Sequence, residues 1–358
     1  MSTLADACPG PHILVERPGM LTTVQDCGRF GWQHVGVVPS GAMDCESLQL
    51  ANALVGNQLN AAALEITLRG PTLLFQCDAL VALGGALFAA RVRSNGQESP
   101  CPVNRPVLLR AGTRLSINLA EHGFRAYLAL AGGIDVAPTL GSRCTYMPAA
   151  IGGMEGRALK KGDLLPLAPN ASALAHERFN RLAARPQAST PLPPFRSVRW
   201  SVPTRSLPRD EPTVVRCVDG HHRELFTPAA LDAFEATPYR ISPQSNRMGY
   251  RMLGARLERA QERDVLSEPT ALGSVQVPAD GSPIVLMADH QTTGGYAKIA
   301  EVASADIGRL AQLRPGQQVR FARCSVADAG ALAQAAHAAL HATVRAISLK
   351  LNPEARTT

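Results

Sequence analysis

The sequence contains few lysines and few aromatic residues. Only four of its 36 basic residues are lysines, and Phe, Trp and Tyr make up 4% of its 358 residues. The formal net charge of +7 is therefore carried by arginines, which are scattered along the chain. Because nucleic-acid-binding proteins cluster basic residues beside aromatic ones, the composition argues against nucleic acid as a partner.

Paired cysteines and long apolar runs are also missing. The eight cysteines form no C-x-x-C pair, which argues against a zinc site and against a small disulfide scaffold. No apolar run reaches about 18 residues, and residues 1–10 lack the basic and apolar segments of a signal peptide. We therefore expect a cytoplasmic protein with buried thiols and no membrane contact.

Several catalytic signatures are absent as well. The chain has no G-x-x-x-x-G-K-[ST] phosphate loop, no G-x-G-x-x-G, no G-x-S-x-G and no H-E-x-x-H. Two histidine pairs have the spacing of metal ligands, His221 with His222 and His337 with His341. Adjacent histidines on an extended segment point to opposite faces, and the second pair has no carboxylate or thiol nearby. We therefore predict no metal site.

Turn-forming residues are abundant. The chain has 30 glycines and 27 prolines, which favour β structure over a helical bundle, and its length suits two domains. A stretch rich in proline and arginine runs from Arg178 to Pro212, and no helix or central strand can span it. We predict an N-terminal domain over 1–190, a linker over 191–212 and a C-terminal domain over 213–358. The linker is either solvated or a surface for an acidic partner.

The predicted elements are mostly strands. Short apolar runs beside Gly, Pro, Asn or Asp indicate buried strands joined by turns. Helices are predicted only over 45–55, 228–234 and 325–347, the last with Ser325 as N-cap and Asp328 three residues on. The expected fold class is mainly β with a few helices.

Two parts of the sequence resemble each other. Residues 29–36 and 247–254 share the pattern R-x-G-aromatic-x-x-x-G, and further matches follow in the same order. A turn with a central glycine recurs at Gly112, Gly162 and Gly316, where glycine lets the backbone take a positive φ. We therefore predict two related β-barrel-like domains.

The densest polar cluster lies in the second half of the chain. Ser274 and Gln276 alternate with two valines, so a strand here directs polar groups to one face and apolar groups to the other. A strand over 284–288 ends in Asp289, and a polar loop follows. This loop suits an amide, ureido or carboxylate ligand, and a satisfied β-turn is the alternative. It consists of Gln291, Thr292, Thr293, Gly294 and Gly295.

Lys298 follows that loop and is one of the four lysines. Where arginine is the usual cation, a retained lysine supplies a compact charge. A solvated surface cation is the alternative.

A second polar cluster lies in the first half. Gln25, Asp26 and Arg29 can bind a carboxylate or ureido group, with Arg29 as a bidentate donor. An Asp26–Arg29 bridge that orders the turn is the alternative. Asn246 and Arg247 hold the equivalent place in the second half.

These stretches are similar to the biotin-dependent carboxyltransferase family, which includes the C subunits of 5-oxoprolinases and carboxyltransferase regions of urea carboxylases. Two positions depart from the family pattern: Cys144, often Ser, and Asn246, often Asp. Asn246 weakens any assignment of a catalytic carboxylate there. The segments that carry the resemblance are 22–44, 64–73, 126–136, 140–146, 245–251 and 267–300.

The resemblance implies two cyclophilin-like β-barrel domains. It also implies two partners in an ATP-dependent opening of 5-oxo-L-proline to L-glutamate. One partner resembles the B subunit of such a system, a kinase-inhibitor-like protein, and the other resembles its A subunit. With no phosphate loop in this chain, ATP would be bound at least partly by a partner.

For this first hypothesis we assign Lys298, Gln291, Thr292 and Thr293 to catalysis. The substrate-binding residues are predicted to be Ser274, Gln276, Asp289, Gly294, Gly295, Tyr296, Arg247, Gln25, Asp26 and Arg29.

Two other hypotheses remain open at this point. The first is a carboxyltransferase that acts on urea or a related amide. Biotin would then be carried by another protein, because no Met-Lys-Met stretch is present. The second is a regulatory protein that binds and sequesters a kinase inhibitor.

Overall fold

The structure is a computed structural model that describes residues 10–182, 194–203, 212–261 and 265–351. The first half of the chain forms a ten-stranded sheet with two helices. Its elements are β1 (His12–Arg17), β2 (Leu21–Gln25), α1 (Cys45–Leu54), β3 (Ala63–Thr67), β4 (Thr72–Phe75), β5 (Ala79–Ser94), β6 (Gln97–Pro100), β7 (Val107–Leu109), β8 (Arg114–Leu130), β9 (Leu164–Pro166), α2 (Ala171–Leu182) and β10 (Arg196–Ser197).

Two long antiparallel strands, β5 and β8, organise this sheet, whose main order is β10-β7-β5-β8-β4-β1-β9. Their register shifts between Gly85 and Ala90, and such bulges bend a strand pair. β3 pairs with both β8 and β2, while β6 pairs with the C-terminal end of β5. Of the predicted linker, β10 pairs with β7, whereas residues 191–193 and 204–211 lie outside the described residues.

The second half forms a closed seven-stranded barrel of order β11-β18-β15-β16-β13-β12-β19. Parallel pairing of β11 with β19 closes it, and the other neighbours are antiparallel. Its elements are β11 (Thr213–Asp219), α3 (Pro228–Ala236), β12 (Tyr239–Ile241), β13 (Gly249–Leu253), β14 (Glu268–Pro269), β15 (Ser274–Val277), β16 (Ile284–Leu286), β17 (Thr293–Gly294), β18 (Ala297–Val302), α4 (Ser304–Ala311), β19 (Gln318–Arg323) and α5 (Val326–Leu351).

The predicted fold class, mainly β with a few helices, is confirmed. The predicted helices correspond to α1, α3 and α5, and the Ser325 hydroxyl accepts a hydrogen bond from the Asp328 backbone N–H at 3.1 Å, as a capping pair should. Two described helices were not predicted. α2 contains no proline and overlaps the proline- and arginine-rich stretch only at 178–182, and α4 has only eight residues.

The recurring glycine turns also form as predicted. Gly112, Gly162 and Gly316 have φ of 80°, 92° and 90°.

Within the described ranges no helix is long and apolar enough to cross a membrane.

The hydrophobic core has three parts, and two of them join the halves. Met43 from the first half packs among the barrel residues of the second. Ile347 of α5 packs in the same cluster as Leu54 of α1 and Phe179 of α2. The last helix of the chain therefore covers apolar surface of the first half.

The expectation of buried thiols is correct only in part. Cys101, Cys144 and Cys217 are buried, but Cys27, Cys45, Cys77 and Cys324 are partly exposed, and all seven are free thiols. Cys8 lies outside the described residues.

Candidate active site

A two-residue ribbon, β14 with β17, fixes the polar loop against one end of the barrel. Glu268 pairs with Gly294 and Pro269 with Thr293. Thr270 strengthens this attachment, since its backbone N–H donates to the Thr292 carbonyl at 3.0 Å and its hydroxyl to the Gln291 carbonyl. The loop that the sequence singled out is thus held by its backbone, which leaves its side chains near the surface.

Lys298 lies beneath this ribbon and is not a solvated cation. Only 6% of the residue is exposed. Its Nζ lies 2.8 Å from Glu268 Oε1 and 2.5 Å from the Pro269 carbonyl oxygen. The hydrogen bond from Lys298 lowers the pKa of the Glu268 carboxyl, because it favours the charged form. The result is a fixed ammonium group held by an ionised carboxylate.

Gln276 faces Lys298 across neighbouring strands. The predicted alternation is confirmed in direction: Val275 and Val277 pack in the barrel core. Ser274 and Gln276 are nevertheless buried too. The Ser274 hydroxyl accepts a hydrogen bond from the Ala271 backbone N–H at 3.2 Å.

The Gln276 side-chain Nε2, by contrast, has no hydrogen-bond partner among the described residues. A Cβ placed on Gly294 would lie 2.6 Å from this nitrogen, so glycine at 294 is what gives the amide room. A buried amide donor without a partner is costly, which marks this position as one where a ligand oxygen would fit.

His222 completes the group, which we call the barrel-end cluster: His222, Glu268, Gln276 and Lys298. Its backbone N–H donates to the Lys298 carbonyl at 3.0 Å, and its Nδ1 accepts from the Lys298 backbone N–H at 3.3 Å. Burial lowers the pKa of His222, so its ring is neutral at pH 7. The side chain thus stands beside Glu268 as an uncharged group, with 3.7 Å between Nδ1 and Oε1.

Sequence reasoning named His221 and His222 as a possible metal pair but set them aside, because adjacent histidines on an extended segment point to opposite faces. They lie in a turn, and His221, His222 and Glu268 bring three possible ligand atoms within 4.8 Å of one another. These are the described residues that could hold a metal ion. The Lys298 ammonium already occupies Glu268, however, so we assign no metal here.

Arg247 and Asp289 lie elsewhere, between the two halves of the molecule. Arg247 donates to both oxygens of Asp289 at 2.9 Å, and it also pairs with Glu65 from β3. Ser40 donates to the same Asp289 at 2.6 Å. Burial alone would lower the pKa of Arg247, but Glu65 and Asp289 outweigh it and raise that pKa. We call Ser40, Glu65, Arg247 and Asp289 the interface cluster, and its groups bind one another.

The predicted first-half cluster forms a third location. Asp26 accepts from the Ser142 hydroxyl at 2.7 Å and the Arg143 backbone N–H at 2.6 Å. Arg29 donates instead to the carbonyls of Thr139 and Cys144, both at 2.9 Å. The alternative of an Asp26–Arg29 bridge is therefore wrong for the described structure, because each group finds its partner in the loop at 139–144.

Gln25 lies under the same loop and donates to the Thr145 carbonyl at 3.1 Å. The site residues predicted from two polar clusters therefore lie in three places in the structure. Asn246 caps its own turn through hydrogen bonds from the Met248 and Gly249 backbone N–H groups, which agrees with the absence of a catalytic carboxylate there. The predicted residues at the barrel end are Ser274, Gln276, Gln291, Thr292, Thr293, Gly294, Gly295, Tyr296 and Lys298.

A separate cleft of 940 Å³ lies between α1, the bends of β5 and β8, and α5. Asp44, Gln312 and Arg314 line it, and no predicted site residue does. Gln312 is engaged there: it donates to Asp44 at 2.9 Å and accepts from the Arg125 backbone N–H. The barrel end is a better candidate for chemistry than this cleft, since it combines the buried Lys298 with the unpartnered Gln276 amide.

Residues 35–323 match the family described as carboxyltransferase domain, subdomains A and B. The chain belongs to this family. The match includes the barrel-end cluster and the interface cluster, so both lie in the carboxyltransferase domain. The resemblance read from the sequence is confirmed.

Two relatives and one solved structure are similar to this carboxyltransferase domain over most of the chain. The 5-oxoprolinase C subunit of Escherichia coli (strain K12) is 42% identical over 317 residues, which are 87% of this chain and 91% of the relative. The urea amidolyase of Lachancea kluyveri is 33% identical over 91% of this chain, but this chain spans only 18% of it. The crystal structure of Kluyveromyces lactis urea carboxylase matches 95% of this chain and 30% of its own, with a TM-score of 0.82 and 30% identity.

Proposed function

We propose that this protein is the C subunit of an ATP-dependent 5-oxoprolinase, which opens 5-oxo-L-proline to L-glutamate together with partners that resemble the A and B subunits. One observation carries the proposal: the chain corresponds to 91% of a relative named as a 5-oxoprolinase C subunit, at 42% identity. The urea amidolyase match covers a small fraction of a much longer protein. The free thiols of the described residues support a cytoplasmic location.

In this proposal the barrel-end cluster stabilises charge during lactam opening. Attack on the lactam carbonyl places negative charge on its oxygen, and fixed donors that face this charge lower the barrier. Lys298 supplies the cation and the unpartnered Gln276 amide supplies a hydrogen bond. Gln291, Thr292 and Thr293 would surround the substrate at the rim of the site.

The other predicted residues take supporting roles in this proposal. Ser274 orients the strand, and Gly294 leaves room over Gln276. Asp289 and Arg247 hold the halves together, which places them in positioning rather than chemistry. With no phosphate loop in the chain, we assign ATP at least partly to one of the partner proteins.

The direct test is to co-express the chain with its two partner proteins and to measure glutamate from 5-oxoproline with and without ATP. We expect ATP-dependent glutamate from the assembled complex. An assembled complex that forms no glutamate would overturn the proposal.

The role of Lys298 has its own test in that complex. Lys298→Met removes the cation while keeping much of the side-chain volume, and we expect kcat to fall about 100-fold or more. Lys161→Met is the matched control, because Lys161 is exposed. Size-exclusion chromatography separates lost chemistry from lost assembly, and an intact Lys298→Met complex with unchanged kcat would exclude the role.

A carboxyltransferase that acts on urea or a related amide is the second candidate. The similarity to Kluyveromyces lactis urea carboxylase over 95% of this chain favours it. Biotin would then be carried by another protein. Carboxylation of urea by this chain with a biotinylated carrier, without glutamate formation from 5-oxoproline, would select this candidate. Tight binding of the partner that resembles the B subunit, without either activity, would select the regulatory hypothesis.

A further inference from the structure

Two cysteines from different segments meet beside α1. Cys27 lies just after β2, and Cys45 is the first residue of α1. The backbone N–H of Ala42 donates to the Asp26 carbonyl at 2.8 Å, which ties the two segments side by side. Cys27 Sγ contacts Gln49, which lies one helical turn after Cys45, and both cysteines pack against the same core cluster. Both residues are partly exposed.

The surroundings of the two sulfur atoms differ. Gln49 Nε2 donates to Cys27 Sγ at 3.9 Å, whereas the Cys45 thiol donates to the Ala42 carbonyl oxygen at 3.7 Å. The neighbouring Cys45 thiol lowers the pKa of Cys27 despite burial and the nearby Asp26, whereas Cys27 and burial raise the pKa of Cys45. Of the two sulfurs, Cys27 is therefore the one that we expect to react first.

Of the two other partly exposed cysteines, Cys324 adjoins the buried Cys217, whose carbonyl accepts its backbone N–H at 2.9 Å. Burial raises the pKa of both Cys77 and Cys324. They therefore serve as internal controls for the reactivity of a partly exposed thiol in this protein.

We propose that Cys27 and Cys45 are a redox-active pair that a hydroperoxide converts into an intramolecular disulfide. The Cys27 thiolate attacks the O–O bond and takes one oxygen, giving a sulfenic acid, while the other oxygen leaves and is protonated. The Cys45 sulfur then attacks the sulfenic sulfur and displaces hydroxide, which leaves as water with the Cys45 proton. With hydrogen peroxide, two thiols are oxidised to one disulfide and the peroxide is reduced to two water molecules.

The disulfide would fasten the Asp26–Arg29 turn to the start of α1. Asp44, the N-cap of α1, accepts a hydrogen bond from Gln312 of the second half. Oxidation would therefore form a covalent bond one residue away from a contact between the halves. The proposal does not require this pair to take part in the proposed reaction.

The test uses the full chain, reduced and then treated with hydrogen peroxide near stoichiometric amounts. Peptide mapping by mass spectrometry under non-reducing conditions should find a Cys27–Cys45 cross-link with a mass loss of about 2 Da, reversed by dithiothreitol. A thiol reagent should modify Cys27 about tenfold faster than Cys77 or Cys324.

Matched variants complete the test. Cys45→Ser should stop the oxidation of Cys27 at the sulfenic acid, which dimedone traps, while Cys77→Ser should leave the cross-link unchanged. Sulfinic acid on wild-type Cys27 without a cross-link, disulfides only between chains, or a reactivity of Cys27 equal to that of Cys77 would each overturn the proposal. The wild-type mapping decides the question even if a variant folds poorly.

Discussion

The two halves carry the same R-x-G-aromatic motif and use its arginine for different purposes. Arg29 and Arg247 are both buried. Arg29 donates to backbone carbonyls of its own half, whereas Arg247 pairs with Glu65 of the first half and Asp289 of the second. A guanidinium bound by carbonyls organises a loop, while one bound by two carboxylates fixes two bodies to each other. Sequence equivalence therefore does not predict equivalent structural roles here.

The largest expected effect comes from removing the arginine between the halves. Arg247→Leu leaves Glu65 and Asp289 buried without their cation, and we expect the free energy of unfolding to fall by about 3–5 kcal/mol. Urea denaturation measures this loss of stability. Arg251→Leu, at an exposed arginine on β13, is the control and should change stability by less than about 0.5 kcal/mol. Equal effects of the two variants would show that the interface pairs contribute nothing.

Arg29→Leu should cost less, about 2 kcal/mol, because it leaves two carbonyls rather than two carboxylates unpaired. The same denaturation measurement compares it with Arg247→Leu. If Arg29→Leu destabilises the protein as much as Arg247→Leu, the distinction between a loop arginine and an interface arginine is wrong.

The aromatic residue of the motif gives the smallest contrast. Tyr250 is 1% exposed and its hydroxyl accepts a hydrogen bond from Arg125 Nη1 at 2.5 Å, while Trp32 is 40% exposed. Tyr250→Phe should lower the free energy of unfolding by about 1.5 kcal/mol or more, since it removes a charge-assisted hydrogen bond. Trp32→Phe should change it by less than about 0.5 kcal/mol. Thermal melts of both variants measure the two losses of stability. A larger loss for Trp32→Phe than for Tyr250→Phe would contradict this prediction.

Local features of the fold were predictable from the sequence, and distant pairings were not. The Ser325 cap, the glycine turns and the alternation at Ser274–Val277 depend on neighbouring residues, so pattern and turn chemistry suffice. The alternation could not show that Gln276 is buried, because the ribbon that adjoins it comes from other segments. Residue type pointed to Lys298, but its partners Glu268 and His222 lie 30 and 76 positions away in the chain. No sequence periodicity connects them.

The same limit explains why the predicted site residues lie in three places. Asp289 lies two positions before the polar loop, whereas Arg247 lies 44 positions before it and was predicted as the counterpart of Arg29. Their partner Glu65 is 182 positions from Arg247. Only the packing of the two halves against each other shows that Arg247 and Asp289 are already bound in ion pairs.

The placement of α5 bears on how the protein is made. Leu54 and Phe179 emerge from the ribosome long before Ile347, the residue of α5 that packs in their cluster. During synthesis the first half therefore exposes apolar surface until α5 is available. We expect a nascent chain that stops before α5 to bind chaperones or aggregate, because this surface stays uncovered.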